Sequence, residues 1–290
     1  MGQRSSSMTP IPPPALGCSQ CRRTFPVSDG ILRFIDNEAG EGAGHPESAA
    51  EMRRRDQEAG AYDHRFPAVR NAIEIPPCLK AVDLNAGDVV VELGCGTGRF
   101  TSLYVELVAR VVAIDFSFQS LKVLKAKLPA TVRDRILLVQ ADITSPPLAK
   151  QVFTKAVSFQ VFEHLRTPSE RETAVMAACE LLIPSESLTC SVYNWSRQKR
   201  KFASLGIGDN TAKEGRHSEG AIYYYNFEEP ELRKLLDGSG FRVDTIRGLQ
   251  MQVRGIGRLG GLAVLLDRVM AASPLGIKHG HLLLAHATVR

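Results

Sequence analysis

Two textures divide the chain. From residue 87 onward, short β-branched runs alternate with stretches whose apolar residues recur every three or four positions, the pattern of strands separated by amphipathic crossover helices. Strands are expected at Asp88 to Leu93, Val111 to Asp115, Ile136 to Gln140, Ala156 to Gln160 and Ser187 to Tyr193, with two more at Phe241 to Ile246 and His281 to Val289. Helices are expected at Gly98 to Val108, Ser117 to Leu128, Pro168 to Leu182 and Glu229 to Leu236. Strands joined in this way run parallel with right-handed crossovers. The expected fold class is therefore α/β, a doubly wound, mostly parallel seven-stranded sheet covered by helices on both faces. Ligands bind such sheets beyond the carboxyl ends of the strands, where strand order reverses.

The first 60 residues read differently, being rich in Pro, Gly, Ser and charge. Residues 37 to 60 have almost no large apolar side chain to bury and read as a linker. Residues 1 to 36 hold a small apolar island with one Cys-x-x-Cys pair, Cys18 and Cys21. The main domain is placed at 61 to 290, with insertions at 195 to 226 and 249 to 280.

The most informative segment is Val89-Val-Val-Glu-Leu-Gly-Cys-Gly-Thr-Gly-Arg-Phe100, an apolar strand that runs into glycines at alternate positions and then a helix. Glycine lets a ligand approach bare backbone. The dinucleotide fingerprint fails because Arg99 stands where its third glycine belongs, and the Gly-Lys-Ser/Thr ending of a phosphate P-loop is absent. Glu92 lies within the strand, where a carboxylate needs a partner. Asp115 ends the second strand, placed to accept from ribose hydroxyls. Asp142 follows the third and can accept from an exocyclic amine, while Phe116 and Ile143 offer apolar faces to a flat base.

Taken together, Glu-Leu-Gly-Cys-Gly-Thr-Gly, the strand-ending Asp115, the Ala141-Asp142 pair and Phe159-Gln-Val-Phe-Glu-His164 resemble class I S-adenosylmethionine-dependent methyltransferases over about residues 60 to 290. The resemblance implies their Rossmann-like fold and S-adenosyl-L-methionine as cofactor. It implies that Gly94, Cys95, Gly96 and Gly98 wrap the methionine part, Asp115 holds the ribose, and Asp142 and Ile143 bind the adenine. Gln160 matches a methionine contact, and Tyr62 resembles an N-terminal residue that closes the pocket. The island at 1 to 36 resembles half of a zinc ribbon that opens some bacterial methyltransferases. A structural zinc needs four ligands, and with one Cys-x-x-Cys no bound metal is expected.

Methyl transfer is an in-line displacement, so positioning matters most and a base is optional. His164, after the fourth strand, is the candidate catalytic base, against a competing structural role in orienting Glu163. Tyr193, Asn194 and Trp195 follow the fifth strand and could line the acceptor side, and Tyr223 to Phe227 reads chiefly as core. The insertion at 195 to 226 is basic, carrying Arg197, Lys199, Arg200, Lys201, Lys213 and Arg216. It reads as a solvated face slightly more readily than as an anion site.

Composition refines this little. With 44% hydrophobic and 23% charged residues in 290, a packed soluble domain is expected and fibrous or disordered classes are excluded. A net charge of +5 favours anionic partners without requiring nucleic acid. No apolar run approaches the roughly 20 residues of a membrane span, and the N-terminus lacks a secretory apolar region. A cytoplasmic protein with reduced thiols is expected. The leading expectation is a methyltransferase for a small-molecule acceptor. A transfer-RNA methyltransferase and a non-catalytic cofactor-binding module are the alternatives.

Overall fold

The computed structural model describes residues 15–17, 24–35, 46–206, 212–217, 222–251, 261–271 and 273–290. Its centre is the valine-rich strand β4 (Val89–Leu93), which follows three N-terminal strands, β1 (Ala15–Gly17), β2 (Thr24–Ser28) and β3 (Ile31–Arg33). To one side of β4 lie β5 (Arg110–Asp115) and β6 (Ile136–Gln140), and to the other β7 (Phe153–Phe159) and β8 (Leu182–Tyr193), all parallel to their neighbours. A short hairpin, β9 (Glu214–His217) and β10 (Ile222–Tyr225), forms a separate small sheet. The last two strands, β11 (Phe241–Met251) and β12 (Gly280–Val289), are antiparallel additions, β12 pairing with β8. Strand order in the main sheet is β1-β2-β3-β6-β5-β4-β7-β8-β12-β11. The order reverses at β4, so the carboxyl ends of β4, β5 and β7 flank one crevice, as this topology requires.

Helices cover both faces. α1 (Pro46–Glu58) and α2 (Ala68–Val82) precede β4, α3 (Thr101–Tyr104) and α4 (Phe118–Lys127) bracket β5, and α5 (Pro168–Leu181) leads into β8. The Ser117 hydroxyl caps α4 by accepting from the Ser120 N–H, and Thr167 with Glu170 forms a capping box on α5. Then come α6 (Arg197–Ser204), α7 (Glu229–Gly238), α8 (Gly261–Ala271) and α9 (Pro274–His279). Among the described residues two large apolar clusters form the core, one on each side of the sheet's central strands, with Val91, Leu93 and Phe162 in one and Val90, Tyr104 and Leu124 in the other, and a small third cluster joins Ile35 and Met52.

Three expectations need correction. Among the described residues the main sheet has ten strands rather than seven, because β3 joins the edge of β6 in parallel and brings the hairpin of β1 and β2 with it. Cys18 and Cys21 lie outside the described residues. The stretch read as a linker contains α1. That helix is polar yet ordered because Ala49 and Met52 are buried, and Glu51–Arg55 and Arg54–Glu58 pair one turn apart. The helix expected from Gly98 to Val108 is cut to α3 and a 3₁₀ turn at Val105–Leu107. Gly98 has φ +78°, and a Cβ there would fall 2.2 Å from Leu124, so the residue serves the turn and its packing on α4.

Candidate functional site

Beyond the carboxyl ends of β4, β5 and β7 lies a cavity of about 480 Å³, roofed by α1 and by the 3₁₀ segment Ala59–Arg65. From the glycine loop it is lined by Gly94, Cys95 and Gly96, and from the strands by Glu92, Asp115 and Phe116. Ala141, Asp142, Ile143, Gln160, Tyr62 and His164 also line it. The structure thus brings these expected site residues to one hollow. Gly98 is not among the lining residues, its place being taken by Thr97, Arg99 and Phe100. At Gly96 nothing lies within 4 Å of where a Cβ would stand, which leaves bare backbone against the cavity.

Asp115 holds this backbone in place. One carboxylate oxygen accepts from the Gly96 N–H and the other from the Ser117 N–H, both at 2.8 Å. A carboxylate has about four acceptor positions, so one on each oxygen remains for a ligand. Asp142 uses Oδ1 to accept from the N–H and hydroxyl of Thr144, both at 2.8 Å. Glu92 finds the partners its position demands, accepting at Oε2 from Thr101 (2.5 Å) and Tyr104 (2.7 Å). Burial nevertheless pushes its carboxyl up to about 7.

Gln160, after β7, has φ +58°, a left-handed conformation uncommon for a residue with a side chain. Its amide is already engaged, donating to Glu74 and accepting from Arg70 at 3.1 Å. Glu74 is fully buried on α2 and also receives Arg99 through two bonds of 2.5 and 3.2 Å and Gln250 at 2.7 Å. This cluster closes the cavity floor. Sequence reading passed over it because a single Glu on an otherwise apolar helix face, far along the chain from Arg99, carries no spacing signal.

Behind His164, outside the cavity lining, aromatic rings gather. The His164 Nδ1 donates to the Tyr223 carbonyl at 2.6 Å. The His164 ring lies 5.8 Å edge-on from Tyr193 and 6.0 Å from His217, and Tyr193 in turn lies 5.4 Å from His281. Burial, reinforced by the Arg55 guanidinium, holds His164 well below the usual histidine value. Tyr223, Tyr224 and Phe227 are buried, in keeping with the expectation of core packing. The basic insertion is largely committed to internal contacts. Lys199 is buried and donates to Asn226, Arg200 reaches Glu228 at 3.4 Å, and Lys213 pairs with Glu231 at 2.5 Å.

Residues 91–189 match the family model described as a methyltransferase domain. A stretch of 127 residues is 32% identical to an uncharacterised methyltransferase of Geobacillus sp. strain WCH70, covering 44% of this chain and 56% of that relative. The chain spans about half or less of the length of the first relatives it matches. Among solved structures, the 1,6-didemethyltoxoflavin-N1-methyltransferase of Burkholderia thailandensis, determined with S-adenosylhomocysteine bound, superposes with a TM-score of 0.55. It shares 19% identity and covers 94% of this chain and 97% of its own. The N-methyltransferase NodS of Bradyrhizobium japonicum gives 0.57 at 14% identity, covering 82% of this chain and 98% of its own.

The fold is that of the class I methyltransferases. The methyltransferase domain match begins within β4 and ends within β8, so it takes in the glycine loop, Asp115, Asp142 and His164. Tyr62 and α1 on one side, and the β9–β10 hairpin on the other, lie outside it.

Proposed function

We propose that the protein transfers a methyl group from S-adenosyl-L-methionine to a small-molecule acceptor. The reading rests on one observation above others: one cavity joins the bare backbone at Gly96 and the carboxylates Asp115 and Asp142 to His164. The chemistry of the Gly96 end suits a nucleoside with a positively charged sulfur. Asp115 keeps acceptor positions for ribose hydroxyls, Asp142 keeps Oδ2 for an exocyclic amine, and Phe116 with Ile143 supplies apolar surface for the base. When bound, S-adenosyl-L-methionine supplies an electrophilic methyl on sulfur and departs as S-adenosylhomocysteine.

The rest falls to the chain. The cavity walls hold the acceptor for in-line approach, which alone can remove much of the barrier. A carbonyl oxygen only accepts, so His164 bears its proton on Nδ1 and offers the lone pair of Nε2. That nitrogen takes the proton which an attacking hydroxyl or ammonium must lose. A small acceptor is favoured over RNA by the modest cavity of about 480 Å³ and by the pairing of Lys199, Arg200 and Lys213 within the chain.

Incubating the protein with methyl-labelled S-adenosyl-L-methionine and fractionated cell extract tests the reading. Label in small-molecule fractions is the expected outcome. Label confined to RNA or protein would overturn the acceptor class, and no cofactor binding would overturn the activity.

A further inference from the structure

Arg55 on α1 stands in the roof of the cavity with most of its hydrogen-bonding capacity unused. Its side chain is only 17% exposed, and among the described residues its hydrogen-bond partner is a single oxygen of Glu51 at 3.3 Å. A guanidinium has five N–H donors. Several neighbouring charges along the wall are already held. Asp115 is held by two backbone N–H groups, Glu58 by Arg54 and Arg65, Glu170 by the N–H groups of Arg166 and Thr167, and Arg99 by Glu74.

The hairpin fixes where this spare cation points its influence. The backbone N–H of Tyr223 favours the charged form of Glu51, the partner of Arg55, while the Tyr223 carbonyl accepts from His164. One residue of the hairpin therefore ties Arg55, through Glu51, to the same end of the cavity as the His164 ring. His217 stacks on Tyr224 at 5.9 Å and meets the His164 ring at 6.0 Å. Both imidazoles are kept neutral, His217 pulled down to about 4, by burial first and by Arg55 second. With both imidazoles neutral, Arg55 is the cation that acts most strongly on them, and Glu51 engages its guanidinium through a single oxygen. Planar anions match such a donor fork bidentately.

Resting on the methyltransferase reading, we infer that the acceptor carries a carboxylate, which Arg55 binds beside His164. Arg55 is then a specificity-determining residue, and acidic small molecules are the substrate class. Glu51 orients the guanidinium and leaves its outer donors to the ligand.

The test uses the full chain. Calorimetric titration with S-adenosylhomocysteine comes first, since absence of binding would defeat the methyltransferase reading itself. The loaded protein is then titrated with benzoate and 4-hydroxybenzoate, and with benzamide and 4-hydroxybenzamide, the neutral amides of the same shape. A charge-assisted hydrogen bond supports a preference of about tenfold for a carboxylate over its amide. Arg55→Lys should retain a preference. Arg55→Gln should abolish it, and so should Glu51→Gln/Arg55→Gln, which removes both charges and so leaves no buried carboxylate unpaired. Equal or undetectable binding of acids and amides to the native chain would overturn the inference. So would a preference that persists in the double variant while S-adenosylhomocysteine affinity is unchanged.

Discussion

His164 Nδ1 lies 2.6 Å from the carbonyl oxygen of Tyr223, across 59 residues of chain. The bond fixes the tautomer, and the hairpin that supplies Tyr223 belongs to the insertion after β8 rather than to the sheet. His164→Ala should lower methyl transfer by about 10² or more, the usual contribution of a positioned base, while S-adenosylhomocysteine affinity stays the same. Because burial holds the imidazole well below the usual histidine value, its lone pair is present throughout the neutral range. The rate should not fall with a midpoint near about pH 6.5, the ordinary histidine value. A pH–rate profile showing that midpoint, or an unchanged rate for the variant, would remove His164 from the chemistry.

Asp115 serves the loop and the ligand at once. Asp115→Ala frees the N–H groups of Gly96 and Ser117 and deletes the remaining acceptor positions. Loss of S-adenosylhomocysteine affinity by about tenfold or more is expected, in line with removing a charged hydrogen-bond partner. Asp115→Asn keeps an acceptor and should lose less. Calorimetry on both variants checks the order.

Glu92 titrates where few carboxylates do. Its folded value of about 7 exceeds the unfolded value of 4.5, so the native state holds the proton more tightly. Between those values stability falls as pH rises, and the stabilisation present below pH 4.5 is lost on passing about 7. Glu92→Gln keeps an acceptor for Thr101 and Tyr104 without a charge to bury. Urea midpoints at acid and mildly alkaline pH should therefore differ less in the variant than in the native protein. An unaltered difference would contradict the assignment.

Gly98→Ala meets two obstacles, a backbone at φ +78° and Leu124 at 2.2 Å from the new methyl. Strain and overpacking together predict a loss of about 2 kcal/mol or more. Denaturant unfolding measures it. Adding Leu124→Ala should relieve no more than the steric part, so the pair stays below Leu124→Ala alone.

The strands from 88 to 193 were legible because valine-rich runs bounded by Gly, Asp and Pro leave few alternatives, and the acids at 115 and 142 stood at strand ends where chemistry is expected. What escaped was set by contacts between distant segments. α1 has too few apolar residues to announce itself, and its order comes from Met52 and from i,i+4 ion pairs. Arg55 looked like one of three arginines in a polar run. Glu74 and Arg99 acquire meaning only as partners. Ile31 and Leu32 gave no sign in sequence that they would extend the sheet along β6.

Asp63, in the 3₁₀ segment of the roof, accepts from Thr97 at 2.7 Å and pairs with Lys127 on α4, whose ammonium also donates to the Thr97 carbonyl at 2.7 Å. The roof is thereby latched to the glycine loop itself. Lys127 and Asp63 are 30% and 38% exposed, so dissolved salt reaches the latch while sparing the buried walls behind it. Stopped-flow mixing with S-adenosylhomocysteine should accordingly find faster entry and faster exit as ionic strength rises, by similar factors: a door loosened on its hinge, opening onto an unchanged room.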